Sequence, residues 1–547
     1  MEVSELIRKY ILINATEHDG KAVAKSVLGK LLADQPELRD SVLDVRYKID
    51  TMINEINAWN PNKQKSELEK MGGYEQIKQV EKQGLPDLDV KNKFVVRFAP
   101  NPDGALHLGN ARPAILCNEY VKKYSGKFIL RFDDTDPKIK KPEIRFYKWI
   151  KEDLKWLKIK WHQEIIASKR LNIYYKYAEA LVKSGKAYVC TCNDEKWKPL
   201  RNSGKACHCR EIDEKLQLKN WKKMLAHKFR EKEAVLRIKT ELDAKNHAVR
   251  DWAAFRIVDK PEHPLSKKKV WPLYNFASAI DDHLLGITHI LRGQEHSTNE
   301  TKQKYLYEHF GWKYPDVTLL GRFSLSDMVL SKSTIREGII ERKYSGWDDP
   351  KVGTLRALRR RGFQPEALRQ IIVDIGPKSS DITIASENLS AYNRRVIDKT
   401  ANRYFFIPNP KRIEVKNLTI KKVSIPIHPE NKSKKRSFSL GKYFYIDAKD
   451  FDTYKGLEIR LKDLCNIKLN EVSIFTSEKV KAVPKIQWVP SKFVPVRVTL
   501  PNKEIKGYGE INLLKAKVNE IAQFERFGFV RIEKITKDSI IAIFGHE

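Results

Sequence analysis

The chain has 547 residues, a length that predicts several domains. Its 104 Lys+Arg against 70 Asp+Glu give a formal net charge of +34, which favours a polyanionic partner. Hydrophobic residues make up 41% and aromatic residues 10% of the chain, which excludes a disordered protein, and six Cys argue against a disulfide scaffold. No apolar run reaches the roughly 18–20 residues that span a bilayer, and the first residues lack a signal or transit pattern, so we expect a cytoplasmic, multidomain protein without membrane contact.

Residues 1–90 are predicted to form an acidic helical appendage. They carry 13 Lys+Arg and 16 Asp+Glu, a net charge of −3, so the other 457 residues carry +37. A second helical stretch is expected at 42–59 and a linker at 71–87. Such an appendage either binds a partner protein or packs against the rest of the chain. The apolar residues at helical spacing are Leu6, Ile7, Tyr10, Ile11, Val23, Val27, Leu28, Leu31 and Leu32.

A strand–helix–strand unit follows the appendage. The pattern predicts a strand at 94–98 (FVVRF), a helix at about 110–124 with Pro113 in its first turn, and a strand at 127–132 (KFILRF). A βαβ unit of this length implies a parallel sheet. A further strand is predicted at 287–291, after the polar segment 190–270. We therefore expect a doubly wound, Rossmann-like α/β domain that an inserted domain interrupts.

The rest of the chain changes from helical to β-type patterning. Helices are predicted at 355–361 and 365–375. From about residue 404, short β-branched and aromatic runs separated by turn residues predict all-β barrels, at 420–427, 443–446, 472–475, 494–500, 529–532 and 540–544. These changes divide the chain into regions at 1–90, 91–189, 190–270, 271–345, 346–403 and 404–547.

Polar clusters follow three predicted strands of the parallel sheet, at residues 102–110, 133–137 and 292–296. Each cluster alone is typical of a structural turn, but ligands bind where the carboxyl ends of parallel strands meet. In the first cluster Gly104 and Gly109 permit close backbone approach, and His107 stands at a helix N-terminus that can bind phosphate. The cluster contains neither G-x-x-x-x-G-K-[ST] nor G-x-G-x-x-G, so no P-loop or dinucleotide site is expected there.

A second polar loop lies far downstream, at residues 323–333 (FSLSDMVLSKS), with the cation Lys332. By itself this loop fits a solvated turn. Together with the residues HLGN at 107–110, it resembles the two signature motifs with which class I aminoacyl-tRNA synthetases grip ATP. The resemblance is closest to the glutamyl/glutaminyl subfamily of archaeal and eukaryotic type and covers about residues 91–406; its other carriers include RFAPNPDG at 97–104, RFDDTDP at 131–137, GITH at 286–289 and GWDDP at 346–350.

This resemblance implies an enzyme that activates an amino acid with ATP·Mg²⁺ and transfers it to the 3′-terminal adenosine of a tRNA. Catalysis would consist of positioning and charge stabilisation. Asn110 stands where the class motif ends in His, and Val329 replaces the first Lys of the loop motif, so the phosphate clamp depends on Lys332 alone. His107, Asn110 and Lys332 would be catalytic, and ATP would be bound by His107, Gly109, Asn110, Ser331, Lys332 and Ser333.

The resemblance also implies an amino-acid pocket made of Arg97, Asp133, Tyr274 and Arg292. Asp133 would hold the ammonium, Tyr274 would hydrogen-bond the substrate, and the guanidinium groups suit carboxylates. Arg292 favours glutamate, because glutaminyl enzymes of this subfamily have a small uncharged residue there; alternatively, it is a structural ion-pair partner of Glu295 or an Asp. The implied function is ligation of L-glutamate to tRNA-Glu, and the alternatives are a glutaminyl-tRNA synthetase or an inactive tRNA-binding scaffold.

Transfer RNA is the polyanion that the resemblance implies, either tRNA-Glu alone or tRNA-Gln as well. Residues 190–270 would bind the acceptor stem, 346–403 would contact the stem, and 404–547 would bind the anticodon through residues that the sequence does not identify. The Arg-rich residues 356–361 favour a contact with the tRNA backbone or, alternatively, a solvated helix face.

Four of the six Cys form a C-x-C-x14-C-x-C cluster, which is made of Cys190, Cys192, Cys207 and Cys209. Clustered thiolates in a reducing compartment favour Zn²⁺, and four sulfur ligands close a structural tetrahedral site. His208 is a substitute ligand for Cys209, and free thiols are the alternative to a metal site. Cys117 and Cys465 are expected to be lone packing residues.

Overall fold

Residues 3–17 and 20–71 form helices around an apolar core of their own. The computed structural model describes residues 3–17, 20–71 and 85–547, and the chain divides into two compact units between residues 83 and 84. Ile7, Ile11, Val27 and Leu31 are buried, as their helical spacing predicts. Most of the linker predicted at 71–87 lies outside the described residues, which exclude 72–84. Within 3–17 and 20–71 the helices are α1 (Val3–Glu17), α2 (Ala24–Asp34), α3 (Val42–Asn57) and α4 (Pro61–Lys70).

The second unit begins with the strand–helix–strand pattern that the sequence predicts. Its strands pair in parallel, in the order β1-β2-β3. The apolar faces of the strands and of the first helix share one core, in which Val96, Ile115 and Leu130 are fully buried. The elements are β1 (Val95–Phe98), α5 (Leu108–Lys123), β2 (Lys127–Phe132), α6 (Ile144–Trp156), β3 (Gln163–Ile166) and α7 (Leu171–Lys183).

An antiparallel sheet of four strands follows as an insertion. Its core holds the fully buried Trp221 and Trp271 and continues into Tyr174 and Phe276 of the flanking helices, so the insertion shares a core with the α/β domain. The elements are β4 (Ala187–Cys190), α8 (Asp194–Ser203), α9 (Glu214–Leu225), β5 (Val235–Ile238), β6 (Ala253–Ile257) and β7 (Val270–Pro272).

The chain then returns to the parallel sheet through α10 (Tyr274–Leu284), β8 (His289–Gly293), α11 (Ser297–Phe310) and β9 (Asp316–Leu320). The strands β8 and β9 pair in parallel, and the backbone N–H of Thr288 donates to Val95 O at 2.9 Å, so β8 lies beside β1. The order of the strands across the sheet is therefore β3-β2-β1-β8-β9, and the direction of chain progression reverses between β1 and β8. The carboxyl ends of β1 and β8 flank this switch point, which is where ligands bind in such sheets.

Helices connect the α/β domain to the C-terminal region. The strand pair β10–β11 is parallel, and Leu358 and Leu368 join the main α/β core, so this region is continuous with the sheet domain. Over the ranges that the structure describes, no helix has the length and apolarity to cross a membrane. The elements are β10 (Phe323–Leu325), α12 (Lys332–Ile340), α13 (Leu355–Arg360), α14 (Pro365–Ile375), β11 (Ile382–Ile384) and α15 (Ser386–Ile397).

Two seven-stranded sheets make up the barrel-like C-terminal region, in the orders β12-β25-β26-β27-β23-β24-β13 and β21-β18-β19-β20-β14-β17-β22. The strands are β12 (Asn402–Tyr404), β13 (Phe406–Ile407), β14 (Pro410–Lys416), β15 (Lys422–His428), β16 (Asn431–Ser439), β17 (Tyr443–Asp447), β18 (Glu458–Leu461), β19 (Cys465–Lys468), β20 (Val472–Ser477), β21 (Lys485–Ile486), β22 (Val489–Pro490), β23 (Phe493–Thr499), β24 (Glu504–Glu510), β25 (Ile521–Phe524), β26 (Gly528–Ile535) and β27 (Ile540–His546). The strands β15 and β16 form a separate hairpin, and one helix, α16 (Ala448–Tyr454), was not predicted. The predicted fold class, an interrupted Rossmann-like domain followed by helices and β-barrels, is confirmed.

The start of α5 differs from the prediction. The helix begins at Leu108, two residues before the expected position, because His107 and Asn110 form a capping box there. Pro113 therefore lies inside the helix, in its second turn and not in its first. The earlier start brings the helix N-terminus, with its unpaired N–H donors, up to the edge of the sheet.

Candidate active site

A cavity of about 1630 Å³ opens at the carboxyl ends of β1 and β8. Its volume exceeds the roughly 300–1,000 Å³ that is usual for a site with one small ligand, so it has room for two substrates. Ser333 lies outside the lining, with its Oγ 3.0 Å from Ser331 Oγ. Of the residues predicted to bind ATP or the amino acid, the others all line the cavity: Arg97, His107, Gly109, Asn110, Asp133, Tyr274, Arg292, Ser331 and Lys332.

His107 and Asn110 cap the N-terminus of α5 at the cavity wall. The His107 N–H donates to Asn110 Oδ1 at 2.8 Å, and the Asn110 N–H donates to His107 Nδ1 at 3.2 Å. This reciprocal pair satisfies two backbone donors of the first turn and fixes both side chains. At Gly109 a Cβ would lie 3.1 Å from His107 Nδ1, so a side chain there would press against the imidazole ring that caps the helix.

The imidazole of His107 is neutral at physiological pH. Burial, with the nearby positive charge of Lys332, lowers the pKa of His107 to about 3. Because Nδ1 accepts the Asn110 N–H, the neutral ring carries its proton on Nε2. His107 therefore offers the cavity an uncharged N–H donor, which suits a phosphate oxygen.

Lys332 is held by the turn that follows β1. Its Nζ donates to Asp103 Oδ1 at 2.8 Å and to Asn101 O at 3.1 Å. A Cβ at Gly104 would lie 3.2 Å from Lys332 Cδ and 2.7 Å from the Trp347 ring, so the absence of a side chain there makes room for the lysine stem. Burial lowers the pKa of Lys332, and the Asp103 carboxylate opposes that shift.

Arg97 and Asp133 are linked by buried charges behind the cavity wall. Arg97 Nε donates to Asp282 Oδ1 at 3.1 Å, and Arg131 Nη1 donates to the same oxygen at 2.6 Å. Arg131 also grips Asp133 with two bonds, Nε to Oδ1 at 2.6 Å and Nη2 to Oδ2 at 3.2 Å. Burial raises the pKa of Asp133, and the positive charge of Arg131 opposes that rise. The carboxylate predicted to hold the ammonium is therefore fixed by a bidentate guanidinium.

Arg292 is buried, with a relative exposure of 5%. Nη1 donates to Gln303 Oε1 at 2.9 Å, and Nη2 lies 3.3 Å from Glu300 Oε2 and 3.2 Å from the Tyr314 hydroxyl oxygen. An ion pair with Glu295 or an Asp was the alternative role for Arg292, and Glu300 is the partner in the structure. Among the described residues no group accepts a hydrogen bond from Arg292 Nε, which is itself buried away from solvent, while Arg292 lines the cavity.

The sulfur atoms of the four clustered Cys lie close together in the insertion. Cys190 ends β4, Cys192 follows it after Thr191, and Cys207 and Cys209 lie in the segment before α9. Sγ of Cys190 and Cys207 are 3.9 Å apart, and Sγ of Cys192 and Cys209 are 3.8 Å apart. All four sulfur atoms lie within 4.8 Å of one another. His208 Nε2 is 3.3 Å from Cys209 Sγ, so the histidine adjoins the cluster. Cys117 and Cys465 are buried elsewhere, as predicted.

Three of the four arginines in 356–361 are paired within the protein, and Arg359 is exposed. The alternative of a solvated helix face therefore fits Arg359 alone. Arg356 Nη1 is 3.0 Å from Glu152 Oε2, and Arg360 Nε is 2.6 Å from Glu533 Oε1. Arg361 is buried and donates from Nη2 to Gly545 O at 2.6 Å. These residues join α13 to α6 and to the C-terminal sheet.

Sequence reasoning assigned no role to Asp103, Ser278 or Asp282. Asp282 did carry a signal, because Asp281 and Asp282 follow the run Phe276–Ile280 in a helix whose residues from 276 to 282 are all buried. Two acids on the buried face of a helix require cationic partners. Their partners lie more than 100 residues away in the chain, so the sequence could not identify them.

The cavity at the switch point of the parallel sheet combines a helix N-terminus and Lys332 with the charged side chains of Arg97, Asp133 and Arg292, which fits a class I nucleotide-dependent activating domain. Residues 93–399 match the family described as tRNA synthetases class I (E and Q), catalytic domain, and residues 401–485 and 485–533 match two anti-codon binding domains of the same class. The chain belongs to the class I tRNA synthetases for Glu and Gln, as the motifs predict.

Relatives extend this similarity over the whole chain. The glutamate–tRNA ligase of Pyrococcus furiosus is 50% identical over 574 residues, with 100% of both chains covered. The glutamate–tRNA ligase of Sulfurisphaera tokodaii is 43% identical over 568 residues, again with 100% of both chains covered. A crystal structure of a glutamate tRNA ligase from Elizabethkingia meningosepticum in complex with its amino acid is 22% identical, with a TM-score of 0.42, and covers 56% of this chain and 70% of that chain.

Proposed function

We propose that this protein ligates L-glutamate to the 3′ end of tRNA-Glu, with consumption of ATP. Relatives of the same length that bear the name glutamate–tRNA ligase support the proposal. The observation that carries it is Arg292, a buried guanidinium in the wall of the cavity. A cation in the cavity wall attracts a side-chain carboxylate more strongly than a neutral amide, and Arg292 keeps this preference to the extent that Glu300 does not already neutralise it.

The reaction has two steps. A carboxylate oxygen of glutamate attacks the α-phosphorus of ATP·Mg²⁺, which forms the glutamyl-adenylate and releases pyrophosphate. A ribose hydroxyl of the tRNA 3′-terminal adenosine then attacks the activated carbonyl carbon, which forms the ester and releases AMP. Neither step requires a covalent enzyme intermediate, so positioning and charge stabilisation carry the catalysis.

At the ATP end, we assign phosphate recognition to His107 and Lys332. The Nε2–H of His107 donates to a phosphate oxygen, and Lys332 neutralises negative charge as pyrophosphate leaves. Gly109 lets the triphosphate approach the start of α5, where the backbone dipoles favour an anion. Asn110 acts through the cap that orients His107. Ser331 completes the ATP site at the start of α12, and Ser333, which lies outside the lining, contacts Ser331 through the two hydroxyls.

At the amino-acid end, Asp133 holds the substrate ammonium and Tyr274 hydrogen-bonds the substrate. Arg97 and Arg292 bind carboxylate groups, for which the planar guanidinium fork is suited. Specificity rests on Arg292, because a glutamine side chain offers it no negative charge. A glutaminyl-tRNA synthetase is therefore the less favoured alternative.

The positive charge of residues 91–547 serves tRNA binding in this proposal. The insertion at 190–270 binds the acceptor stem, 346–403 contacts the stem, and 404–547 binds the anticodon, with the α/β domain formed by 91–189 and 271–345. Charging of tRNA-Gln in addition to tRNA-Glu is the broader form of the proposal. The appendage at 1–90 binds a partner protein. Such an enzyme works in the cytoplasm, where its tRNA substrate is used.

We also propose that the Cys cluster binds a structural Zn²⁺. A tetrahedral site with Zn–S bonds of about 2.3 Å has sulfur atoms about 3.8 Å apart, which agrees with the Sγ distances of 3.8 and 3.9 Å. Cys190, Cys192, Cys207 and Cys209 would be the ligands, and His208 would replace Cys209 if that thiolate were absent. Four protein ligands leave no position for a substrate, so the metal would stabilise the insertion without taking part in the reaction.

A charging assay with the full chain tests the proposed function. Labelled glutamate or glutamine is combined with ATP and with purified tRNA-Glu or tRNA-Gln. We expect ATP-dependent attachment of glutamate to tRNA-Glu and no attachment of glutamine. Attachment of glutamine to tRNA-Gln supports the glutaminyl alternative, and no charging with either amino acid supports the inactive scaffold. Transfer of glutamate to tRNA-Gln supports the broader form of the proposal, in which both tRNAs are charged, and its absence supports charging of tRNA-Glu alone.

A further inference from the structure

We infer that Asp282 is a positioning residue for the amino-acid site, and that its carboxylate orients Arg97 directly and Asp133 through Arg131. The inference rests on the proposed function, since it takes Arg97 and Asp133 as the groups that bind glutamate. It adds a residue that no signature motif of the sequence contains.

A single carboxylate oxygen joins the two arginines. Asp282 Oδ1 accepts from Arg97 Nε at 3.1 Å and from Arg131 Nη1 at 2.6 Å, and Oδ2 accepts from Arg97 Nη2 at 3.4 Å. The side chains of Arg131 and Asp282 are 0% and 2% exposed, and neither lines the cavity. Asp282 therefore acts on a substrate through its neighbours and not by contact.

The charges of the network depend on one another. Burial acts to raise the pKa of Asp282, but Arg131 and Arg97 outweigh it and hold the pKa below its ordinary value. The carboxylate is therefore charged throughout the working pH range, and it separates two guanidiniums that repel each other. Without it, Asp133 becomes the counter-charge of Arg131, and Arg97 loses the contacts that set its orientation.

Both changes weaken the recognition of glutamate. Arg97 has five N–H donors, and the pair with Asp282 uses Nε and one donor of Nη2, which leaves the rest for a carboxylate in the cavity. Asp133 accepts from Arg131 with both oxygens, and an ammonium must share that negative charge. The ATP end is independent of this network, because Lys332 is held by Asp103 and Asn101.

The adjacent residue provides a matched control. Asp281 is also a fully buried carboxylate of α10, but its partners are Arg170 Nε at 2.8 Å and the Tyr174 hydroxyl at 2.6 Å. Those partners belong to the segment around α7, away from the residues that line the cavity. Asp281→Asn and Asp282→Asn thus remove the same charge from the same helix, but only the second removes hydrogen bonds to Arg97 and Arg131, whereas Asp281 acts on Arg131 through its charge alone.

The experiment compares the full-length wild type with Asp282→Asn, Asp281→Asn and Ser278→Ala. Ser278 Oγ accepts from Arg131 Nη2 at 2.8 Å, so its removal loosens Arg131 without removing a charge. Steady-state charging of saturating tRNA-Glu gives KM for glutamate and for ATP separately, and thermal melting reports the fold. We expect Asp282→Asn to raise KM for glutamate on the order of tenfold to a hundredfold, as small displacements of binding groups do, with KM for ATP unchanged.

Asp281→Asn is expected to lower Tm without raising KM for glutamate. Parallel changes in both KM values, or an equal rise in Asp281→Asn, would overturn the inference. If Asp282→Asn does not fold, Ser278→Ala decides: a selective rise in KM for glutamate supports the inference, and an unchanged KM refutes it. Failure of the wild type to charge tRNA-Glu removes the proposed function itself and is distinguishable from these outcomes.

Discussion

Lys332 Nζ lies 2.8 Å from Asp103 Oδ1, although 229 residues separate them in the chain. Lys332 is the first residue of α12, and Asp103 belongs to the turn after β1. The contact joins the two halves of the α/β domain at the end of the cavity that also contains His107. With the lysine stem packed beside Gly104 and Trp347, the position of this cation is set by the fold.

Replacement of Lys332 by Ala removes the cation that stabilises the leaving pyrophosphate. We expect kcat/KM for ATP in the charging reaction to fall on the order of 10²–10³-fold, as the loss of one charge-stabilising donor does in other active sites. Binding of tRNA, measured as a Kd at fixed ionic strength, should stay the same. Lys343→Ala is the control, because Lys343 is exposed and pairs with Glu341. Equal losses in catalysis and in tRNA binding would contradict the assigned role.

Replacement of Arg292 by Leu removes the charge that selects glutamate. Truncation of one partner of a buried charge pair costs about 2–5 kcal/mol, so kcat/KM for glutamate should fall on the order of 10²–10³-fold. KM for ATP serves as the internal control and should not change. Measured charging with glutamate and glutamine should show a smaller preference for glutamate than in the wild type. A preserved preference would assign Arg292 to a purely structural pair with Glu300.

Sequence patterns pointed to the side chains of the candidate site but not to the carboxylates that pair with them. His107, Lys332 and Arg292 stand next to predicted strands or in a polar loop, where period and turn residues mark them. Asp103 and Glu300 became visible as partners only through contacts in the folded chain, at 2.8 Å from Lys332 and 3.3 Å from Arg292. Local pattern contains no information on which distant carboxylate neutralises a given cation.

The fold shows the same contrast between features that local sequence patterns predict and features that depend on particular contacts. The parallel strands, the helices after Trp347 and the β-rich C-terminal region followed from hydrophobic periodicity, whereas the start of α5 was predicted two residues late. The error came from the capping box, because a His at the N-cap is outside the Ser, Thr, Asp and Asn preference that marks helix starts. The internal pairing of Arg356, Arg360 and Arg361 could not be read from the sequence, because their acceptors, in α6 and the last strands, are remote in the chain.

The Cys cluster predicts a metal-dependent insertion. Metal analysis of the freshly purified protein should give about one Zn²⁺ per chain. Cys207→Ser should lose the metal and lower the stability of the chain by more than about 4 kcal/mol, in the range for loss of a structural metal. Cys465→Ser is the matched control, because Cys465 is equally buried and lies outside the cluster. Wild-type protein without zinc would end the proposal of a metal site.

His546 is fixed as a neutral ring at the junction of α14, α15 and β27. The backbone N–H of Gln364 donates to Asn393 Oδ1 at 2.8 Å, which turns Asn393 Nδ2 toward His546 Nε2 at 3.0 Å. The ring therefore accepts at Nε2 and donates from Nδ1 to the backbone oxygen of Glu547 at 2.8 Å. Burial, together with the charges of Arg394 and Arg361, lowers the pKa of His546 to about 4.

This lowered pKa predicts a loss of stability in mild acid. Below the ordinary histidine pKa of about 6.5 the unfolded chain binds a proton that the folded chain refuses until about pH 4, so stability falls as the pH decreases between these values. The difference corresponds to about 3 kcal/mol at the acid end. In His546→Gln, where the side-chain oxygen can still accept from Asn393, the decline in Tm from pH 6.5 to 4.5 should be smaller than in the wild type. His247→Gln, at an exposed site, should retain the wild-type decline, and an unchanged decline in His546→Gln would show that His546 is protonated equally in both states.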